Sequence, residues 1–502
     1  MKRILFIFIL TSSLLFGITI NIPGNYSSIQ EGIVASTNGD TVLVASGVYY
    51  EQLNFNGKNI VLTSNYIFSN DTSDISNTII DGNQGGTAIT LSSNEDSTSV
   101  VNGFTIQNSN AGAIFLIDAD PVLENLVVEN NTGYEYGAIF VYYNSNPILK
   151  NLIIKNNIST CDSRLASQVG GGGIYIKTNC NPIIEDCIIS NNTASHGGGI
   201  RIGDNSNAII NNCTIKNNES LYDGGGIYIR EALPKFKNIL VENNIAGRDG
   251  GGLFCNQSES QLINSHFKLN STGYNGGGIY LWESEIYLSG ITLINNNAGN
   301  TRSCYGGGIY SDSSIVNFNP DTLCNIYNNM SYHADDIYSN TSIDVYVDTF
   351  TVLHPTGYQI NPLENFTFSI NWGKQEQIAQ DLYVSPEGDD QNAGTTISDP
   401  LKTIGKALYL VDADSLNPRT IHLMDGTYSP TTNNESLPIL GIDYVTISGV
   451  DSQQTIINTE DNECAFWLEN IKDVSIKNIL VENNIAGRDG GGLFCNQSES
   501  QL

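Results

Sequence analysis

Short apolar runs alternate with turn residues along most of the chain, with a period of about 26 residues. One period contains a β-rich run over 183–189, an Asn-Asn turn at 191–192 and a glycine run over 197–199. The strand that follows, 200–202, places Arg201 on the face opposite its two isoleucines. The pattern therefore predicts several strands of a few residues in every period and no recurring helix.

A fixed period between 20 and 50 residues is typical of repeat architectures. About 26 residues are too few for a propeller blade, which needs ~40, and fit one coil of three short strands and three turns. The period predicts an all-β parallel β-helix. Coils stack ~4.8 Å apart, so the second Asn of each pair is predicted to join a hydrogen-bonded ladder. These residues are Asn131, Asn157, Asn192, Asn218, Asn244, Asn270 and Asn296.

The repeat predicts a domain organisation. Residues 18–344 form the first β-helix domain, 345–380 a C-terminal cap and linker, and 381–502 the start of a second β-helix. Short amphipathic helices over 27–34 and 400–408 are predicted to cap the two domains, because a first coil would otherwise expose an unpaired strand edge. Residues 477–502 repeat 237–262 letter for letter, and the chain stops inside a coil, so we expect the second β-helix to be incomplete.

The amino terminus predicts export. Lys2-Arg3 precedes an apolar stretch over 4–15, and Gly17 is a plausible cleavage residue, so residues 1–17 are interpreted as a secretory signal peptide. No later segment is predicted to span a membrane. The net charge of −30 argues against nucleic acid and anionic lipid as partners. The expected location is extracellular or on a bacterial cell surface.

Two sets of residues carry a resemblance to known families. The opening Tyr26-Ser27-Ser28-Ile29-Gln30, with Gly39-Asp40-Thr41-Val42 and Gly47-Val48-Tyr49 after it, resembles the right-handed parallel β-helix, or pectate-lyase-like, superfamily. The segments Asn191-Asn192-Thr193-Ala194 and Gly198-Gly199-Ile200 are similar to repeats of polymorphic outer-membrane proteins, as are their counterparts at 243–253. The first resemblance implies a right-handed coil. The second implies an adhesin-like surface role.

One outward strand face is rich in aromatic side chains, and its alternation with inward residues predicts that it is exposed. A long exposed aromatic strip suits stacking against sugar rings, whereas stacking between neighbouring coils would only stabilise the sheet. Both interpretations stay open. The candidate binding residues are Tyr175, Arg201, Tyr228, Phe254, Tyr280, Trp282 and Tyr310.

A polar column precedes the glycine runs, with His196, Asp223, Asp249 and Asn275 on successive coils. Asp223 and Asp249 are expected ~5 Å apart, which is unfavourable unless a cation or a histidine lies between them. These two carboxylates are therefore the candidate metal ligands, with calcium as the candidate cofactor. Ordinary solvated turn residues are the alternative.

Three functions follow. The first is a secreted or surface protein that binds a polysaccharide or a cell-surface partner along the aromatic face. The second is a carbohydrate-active enzyme, either a calcium-dependent polysaccharide lyase or a glycoside hydrolase, although no catalytic residue is identified. The third is a structural stalk. A β-helix scaffold supports all three, so the fold alone does not choose between them.

Overall fold

The computed structural model describes residues 17–162, 170–299, 301, 303–461, 464–485 and 490–501. The predicted signal peptide, residues 1–17, lies outside the described residues except for Gly17. The chain divides into two compact units, Met1–His266 (unit 1) and Phe267–Leu502 (unit 2). The domain boundaries predicted at 344 and 380 both fall inside unit 2, and they stay predictions.

Unit 1 consists of short parallel strands in four sheets. The first sheet contains Thr19–Ile22, Thr41–Val44, Val61–Ser64, Val100–Asn102, Val122–Glu124, Ile148–Lys150, Ile183–Glu185, Ile209–Asn211, Lys235–Lys237 and Glu259–Ile263. The second contains Gly47–Tyr50, Thr78–Asp81, Thr105–Gln107, Val127–Glu129, Ile153–Lys155, Ile188–Ser190, Thr214–Lys216 and Leu240–Glu242. The third contains Leu53–Asn54, Ile89–Leu91, Ile114–Ile117, Ile139–Tyr142, Ile174–Lys177, Ile200–Gly203, Ile227–Arg230 and Leu253–Asn256. The fourth contains Thr132–Gly133, Ile158–Ser159, Thr193–Ala194, Glu219–Ser220 and Ile245–Ala246.

Unit 2 contains further strands of the same kind and a smaller C-terminal set. The former are Ser271–Thr272, Ile279–Trp282, Glu285–Ser289, Thr292–Ile294, Ile309–Asp312, Ile315–Phe318, Cys324–Tyr327, Ile337–Ser339, Ile343–Phe350, Ile360–Asn361 and Phe366–Gly373, and strand His266–Lys268 lies at the division between the units. The C-terminal set comprises Leu382–Val384, Arg419–Leu423, Gly426–Tyr428, Ile439–Leu440, Val445–Ser448, Thr455–Asn458, Phe466–Glu469, Val474–Lys477, Leu480–Glu482, Leu493–Asn496 and Ser500–Gln501.

The strands pair in parallel with the strand one coil away, and identical positions lie over one another. Ile200 pairs with Ile227, and Ile227 pairs with Leu253. All three side chains are fully buried, as the alternation of inward and outward residues predicts. The prediction of an all-β parallel β-helix with a second, smaller set of coils is confirmed.

The asparagine column forms the predicted ladder. In unit 1 the Nδ2 of Asn192 donates to the Oδ1 of Asn218 at 3.1 Å, and the Nδ2 of Asn218 donates to the Oδ1 of Asn244 at 3.0 Å. In unit 2 the Nδ2 of Asn296 donates to the Oδ1 of Asn329 at 3.0 Å. These amides are buried, and a buried polar group without a hydrogen bond destabilises the fold. The ladder supplies the hydrogen bonds that these amides need.

The left-handed turn residue directly precedes the ladder Asn. It is an Asn in most coils, such as Asn191 with φ 54°, and a leucine before Asn270, where Leu269 has φ 57°. The glycine run begins with a second left-handed residue. Gly224 has φ 65°, and a Cβ atom there would lie 2.5 Å from the carbonyl oxygen of Ile227. Only glycine fits this position without strain, because the next strand passes so close to it.

The helices in the described part of the chain are few and short. They are Ile29–Ala35, Tyr66–Ser69 and Thr72–Asn77 in unit 1, and Ile404–Leu410 with the 3-10 turn Leu363–Asn365 in unit 2. The predicted capping helices are confirmed at Ile29–Ala35, which Ser28 caps, and at Ile404–Leu410, which Thr403 caps. None of the helices in the described ranges is long and apolar enough to span a membrane.

Candidate functional site

The outward aromatic face predicted for binding is buried in unit 1. Tyr175, Arg201, Tyr228 and Phe254 lie on four neighbouring strands of the third sheet. They retain only 1–4% of their accessible surface. The exposure predicted for these four residues is therefore wrong.

Contacts among the four side chains themselves account for part of this burial. The Arg201 guanidinium lies between two rings, 5.1 Å from the centre of Tyr175 and 5.0 Å from that of Tyr228. The Tyr228 ring stacks on Phe254, with 5.1 Å between centres and 4° between planes. An arginine between two aromatic faces is a stabilising cation–π arrangement, favoured further where water is excluded.

Side chains from the connecting segments cover the remaining surface of this outward face. His196 packs edge-on against Tyr228 with 5.1 Å between ring centres, and its Nδ1 lies 3.3 Å from Oδ2 of Asp223. Nε of Arg248 donates to Oδ1 of Asp223 at 2.8 Å, and Nη2 of Arg248 contacts Oδ2. Burial lowers the pKa of His196, so the ring is neutral near pH 7. We call His196, Arg201, Asp223, Tyr228 and Arg248 the covered cluster.

The same contacts bear on the predicted calcium site. Arg248 reaches both candidate ligands, since its Nε also lies 3.4 Å from Oδ2 of Asp249. The positive charge expected between Asp223 and Asp249 thus comes from the chain itself, as Arg248. No group of three or more His, Cys, Asp or Glu side chains in the described ranges is arranged to hold a metal ion. Calcium binding at Asp223 and Asp249 stays a prediction, and it would require displacement of the Arg248 guanidinium.

The aromatic residues of unit 2 are open to solvent to a greater extent. Trp282 is 42% exposed, and Tyr280 and Tyr310 are half-buried. Tyr280 stacks on Tyr310, and Tyr310 stacks on Tyr338, each with 4.8 Å between ring centres. Tyr338 was missed because Ala334-Asp335-Asp336 replaces the glycine run before it; the Ile-Tyr pair at 337–338 was the available signal. We call Tyr280, Trp282, Tyr310 and Tyr338 the open ladder.

The open ladder leads into a cleft of about 690 Å³ within unit 2. Tyr338 and Tyr305 both line this cleft, and the centres of their rings are 4.8 Å apart. Trp467 forms another part of the lining, and its Nε1 donates to Oε2 of Glu469 at 3.1 Å. This volume falls in the range of sites that bind small molecules or short oligomers.

Carboxylates dominate the polar lining of the cleft. They belong to Glu364, Asp412, Asp414, Asp443 and Glu469. The Nδ1 of His354 lies 2.9 Å from Oδ1 of Asp412, which is within hydrogen-bond distance. Hydrogen bonds from Asn417 lower the pKa of Asp414. We call this site the acidic cleft; it was not anticipated from the sequence, since its residues are scattered between 305 and 471.

A family model described as "Right handed beta helix region" matches residues 65–233 and 153–319, which together span half of the chain. The chain belongs to the right-handed β-helix family. This β-helix protein also matches, over residues 386–462, a family described as "Protein of unknown function (DUF1565)".

Similarity to individual proteins is local or remote. Pectate lyase PEL9 of Emericella nidulans is 37% identical to this β-helix protein over 86 residues, which are 17% of this chain and 18% of that protein. The chain thus spans about a fifth of the length of this curated relative. Among solved structures, PL6 family alginate lyase AlyGC aligns with 96% of this chain and 74% of its own, at 10% identity and a TM-score of 0.30. The A-module of mannuronan C-5 epimerase AlgE6 of Azotobacter vinelandii aligns with 94% of each chain, at 11% identity and a TM-score of 0.28.

Proposed function

We propose that this protein is exported and binds a polysaccharide or a cell-surface glycan along the open ladder. The observation that carries the proposal is the stack of Tyr280, Tyr310 and Tyr338, with rings 4.8 Å apart and partly open to solvent, ending in a cleft. The exposed ring of Trp282 and the accessible parts of the stacked tyrosines, with polar groups nearby, suit ligands that present one apolar and one polar side, as sugar rings do.

Two further findings support a carbohydrate ligand and export. Part of the chain is similar to a pectate lyase, an enzyme whose name gives a polysaccharide as its substrate. Export is supported by the basic and apolar residues at 1–17 and by the acidic composition. The adhesin-like role belongs to the same proposal, since a surface protein that holds a glycan through a stack of rings needs no catalytic group.

Binding is tested by titrating the full chain with a panel of polysaccharides and their oligomers. Trp282→Ala and Tyr310→Ala are each expected to lower affinity about fivefold to tenfold, the effect of losing one stacked ring. Trp372→Ala is the matched control, because Trp372 is 70% exposed but lies on a strand of a different sheet. Equal affinities for all three variants would contradict the proposal and favour the structural stalk.

A second candidate is a carbohydrate-active enzyme. The local similarity to a pectate lyase favours it, and so does the His354–Asp412 pair in the acidic cleft, which could move a proton. The test is to incubate the same polysaccharides with the protein, with calcium and with chelator. Shortened chains carrying unsaturated ends would identify a lyase. If the protein and its His354→Ala variant both bind a polysaccharide and neither cleaves it, the enzyme candidate is contradicted and only the binding function remains.

A further inference from the structure

We infer that the glycan held in the acidic cleft carries free amino groups. This inference rests on the proposed function and narrows it to one class of ligand, a cationic amino-sugar oligomer. It concerns Glu364, Glu469 and the rings of Tyr305, Tyr338 and Trp467, all of which line the cleft.

The charge of the lining selects against anionic sugars. Five carboxylates, two histidines (His333 and His354) and no lysine or arginine are among the described residues that line the cleft. Next to the lining, Nε of Arg419 donates to the carbonyl oxygen of Asp412. The carboxylates therefore outnumber the cationic groups at this site. Carboxylates that water can reach are ionised near neutral pH. A concave surface with charges of one sign concentrates ligands of the opposite sign and repels those of the same sign. The whole chain, at −30, adds to the repulsion of a polyuronate.

The carboxylates also retain capacity to accept hydrogen bonds. Glu469 accepts from Nε1 of Trp467 at 3.1 Å and from Nδ2 of Asn496 at 3.3 Å. Glu364 accepts from Nδ2 of Asn470 at 2.8 Å. An ionised carboxylate has about four acceptor positions, and an ammonium group offers three donors and no acceptor. Both carboxylates can therefore take an ammonium hydrogen bond and keep the contacts that position them.

The rings supply the other half of the recognition. The Tyr305 ring lies 4.8 Å from Tyr338 and stacks on His333 at the same distance. Glu469 lies beside a third ring of the cleft, since its Oε2 accepts from Nε1 of Trp467 at 3.1 Å. Burial raises the pKa of Tyr305 and Tyr338, and nearby negative charge, including that of Glu469, raises both further. A cation beside a carboxylate and over a ring face gains from both groups. A sugar that carries an amino group matches this combination of stacking and charge.

The test compares oligomers of equal length that differ in one group. The probes are a β-1,4-linked glucosamine oligomer, its N-acetylated counterpart and a galacturonate oligomer, titrated calorimetrically into the full chain at mildly acidic pH and low salt. The amino form is expected to bind about tenfold more tightly than the acetylated form, and the galacturonate most weakly. Added salt should reduce the difference.

Variants localise the effect. Glu469→Gln keeps the shape of the side chain and one of the two hydrogen bonds that it accepts, from Trp467 or from Asn496, but removes its charge. It should reduce the preference for the amino form about threefold to fivefold. Glu259→Gln, an exposed carboxylate in unit 1, is the control and should leave the preference intact.

The outcomes distinguish a failure of the amino-sugar preference from a failure of glycan binding itself. Equal or tighter binding of the acetylated or galacturonate oligomer, with loss in Tyr310→Ala, would overturn the inference and keep glycan binding. Binding of a sugar-free polyamine as tight as that of the amino oligomer would overturn the sugar part of the inference. Failure of all oligomers to bind would overturn both proposals.

Discussion

The second residue of equivalent strands is covered in unit 1 and open in unit 2. Tyr228 follows a glycine run and is 1% exposed, whereas Tyr280 and Tyr310, at the same position of their strands, are half-buried and reach solvent. The strands are alike in length and direction, so the strand itself does not decide the exposure. In this β-helix the outward face is open or closed according to the side chains of the connecting segment.

Those connecting segments differ in residue type. In unit 1 they carry His196, Tyr222 and Arg248, which pack over the strand face or bind Asp223. In unit 2, Asn275 stands in the same column, and its Oδ1 accepts a hydrogen bond from the backbone N–H of Tyr305. The neighbouring Tyr274 is 49% exposed. A short amide that turns to the backbone leaves part of each stacked ring accessible, which is the basis for assigning binding to unit 2.

The largest effect expected of a single substitution is on the covered cluster. Asp223→Ala removes an acceptor of Arg248 and the neighbour of the buried His196, whereas the half-exposed Arg248 keeps its contact with Asp249. The loss of these contacts at a buried carboxylate should lower the free energy of unfolding of unit 1 by about 2 kcal/mol. Urea unfolding followed by tyrosine fluorescence measures this loss.

Asp204→Ala provides the comparison for that measurement. The Asp204 side chain is 45% exposed and lies 3.8 Å from Lys177, so its removal should change stability by less than about 0.5 kcal/mol. Equal stability of the two variants would show that the covered cluster does not hold unit 1 together.

The next effect is a pH dependence of opposite sign in the two units. Burial raises the pKa of Glu435 and of Asp336 to about 7. Carboxyl groups with raised pKa values stabilise the folded state below their unfolded pKa, and this stability is lost as pH rises through about 7. Unit 2 should therefore lose on the order of 3 kcal/mol of its free energy of unfolding per group between mildly acid and mildly alkaline pH.

His196 gives unit 1 a pH dependence of the opposite sign. Because its pKa is lowered by burial, unit 1 loses stability as pH falls below about 6.5.

The pH dependence of the stability of unit 2 can be measured separately, because all three tryptophans lie in that unit: Trp282, Trp372 and Trp467. Tryptophan fluorescence during urea unfolding thus follows unit 2 alone. Glu435→Gln should flatten the pH dependence of unit 2. Its single amide oxygen can accept from only one of the N–H groups of Ile404 and Gly405, which bind separate oxygens of Glu435, so the stability of this variant is compared with itself across pH. An unchanged slope in this variant would show that Glu435 is not the titrating group.

The smallest effect concerns the edge of the covered cluster. The hydroxyl of Tyr222 donates to Oδ1 of Asp162 at 3.0 Å near the surface, so Tyr222→Phe should cost at most about 0.5 kcal/mol. Tyr274→Phe in unit 2 is the matched change and should have no measurable effect. Thermal unfolding of both variants makes the comparison, and a larger loss in Tyr274→Phe would reverse the assignment of covered and open faces.

Much of the fold was predictable because the repeat is regular. The Asn column predicts the ladder of Asn131 to Asn244, and the short polar-capped runs predict the helices after Ser28 and Thr403. Both features depend on residues close in sequence or one period apart. The end of the ladder was not predictable, since Asn329 donates to the carboxylate of Asp336 in place of another Asn.

The site was predicted only in part. Alternation in a strand identifies Tyr175 and Tyr310 equally as outward residues, and it contains no information on what packs over them. Covering depends on Arg248 reaching Asp223 from the next coil, a contact set by side-chain length and charge. The acidic cleft depends on residues far apart in the chain, such as Glu364 and Glu469, which no local pattern connects.

Covalent footprinting of the full chain with and without the glucosamine oligomer tests the central claim most directly, because it needs no variant to fold. We expect protection from labelling at Trp282, Tyr310, Tyr338 and Trp467, and no change at Tyr175 and Tyr228. Protection confined to residues 1–266, or labelling that saturating oligomer leaves unchanged throughout, would contradict the account.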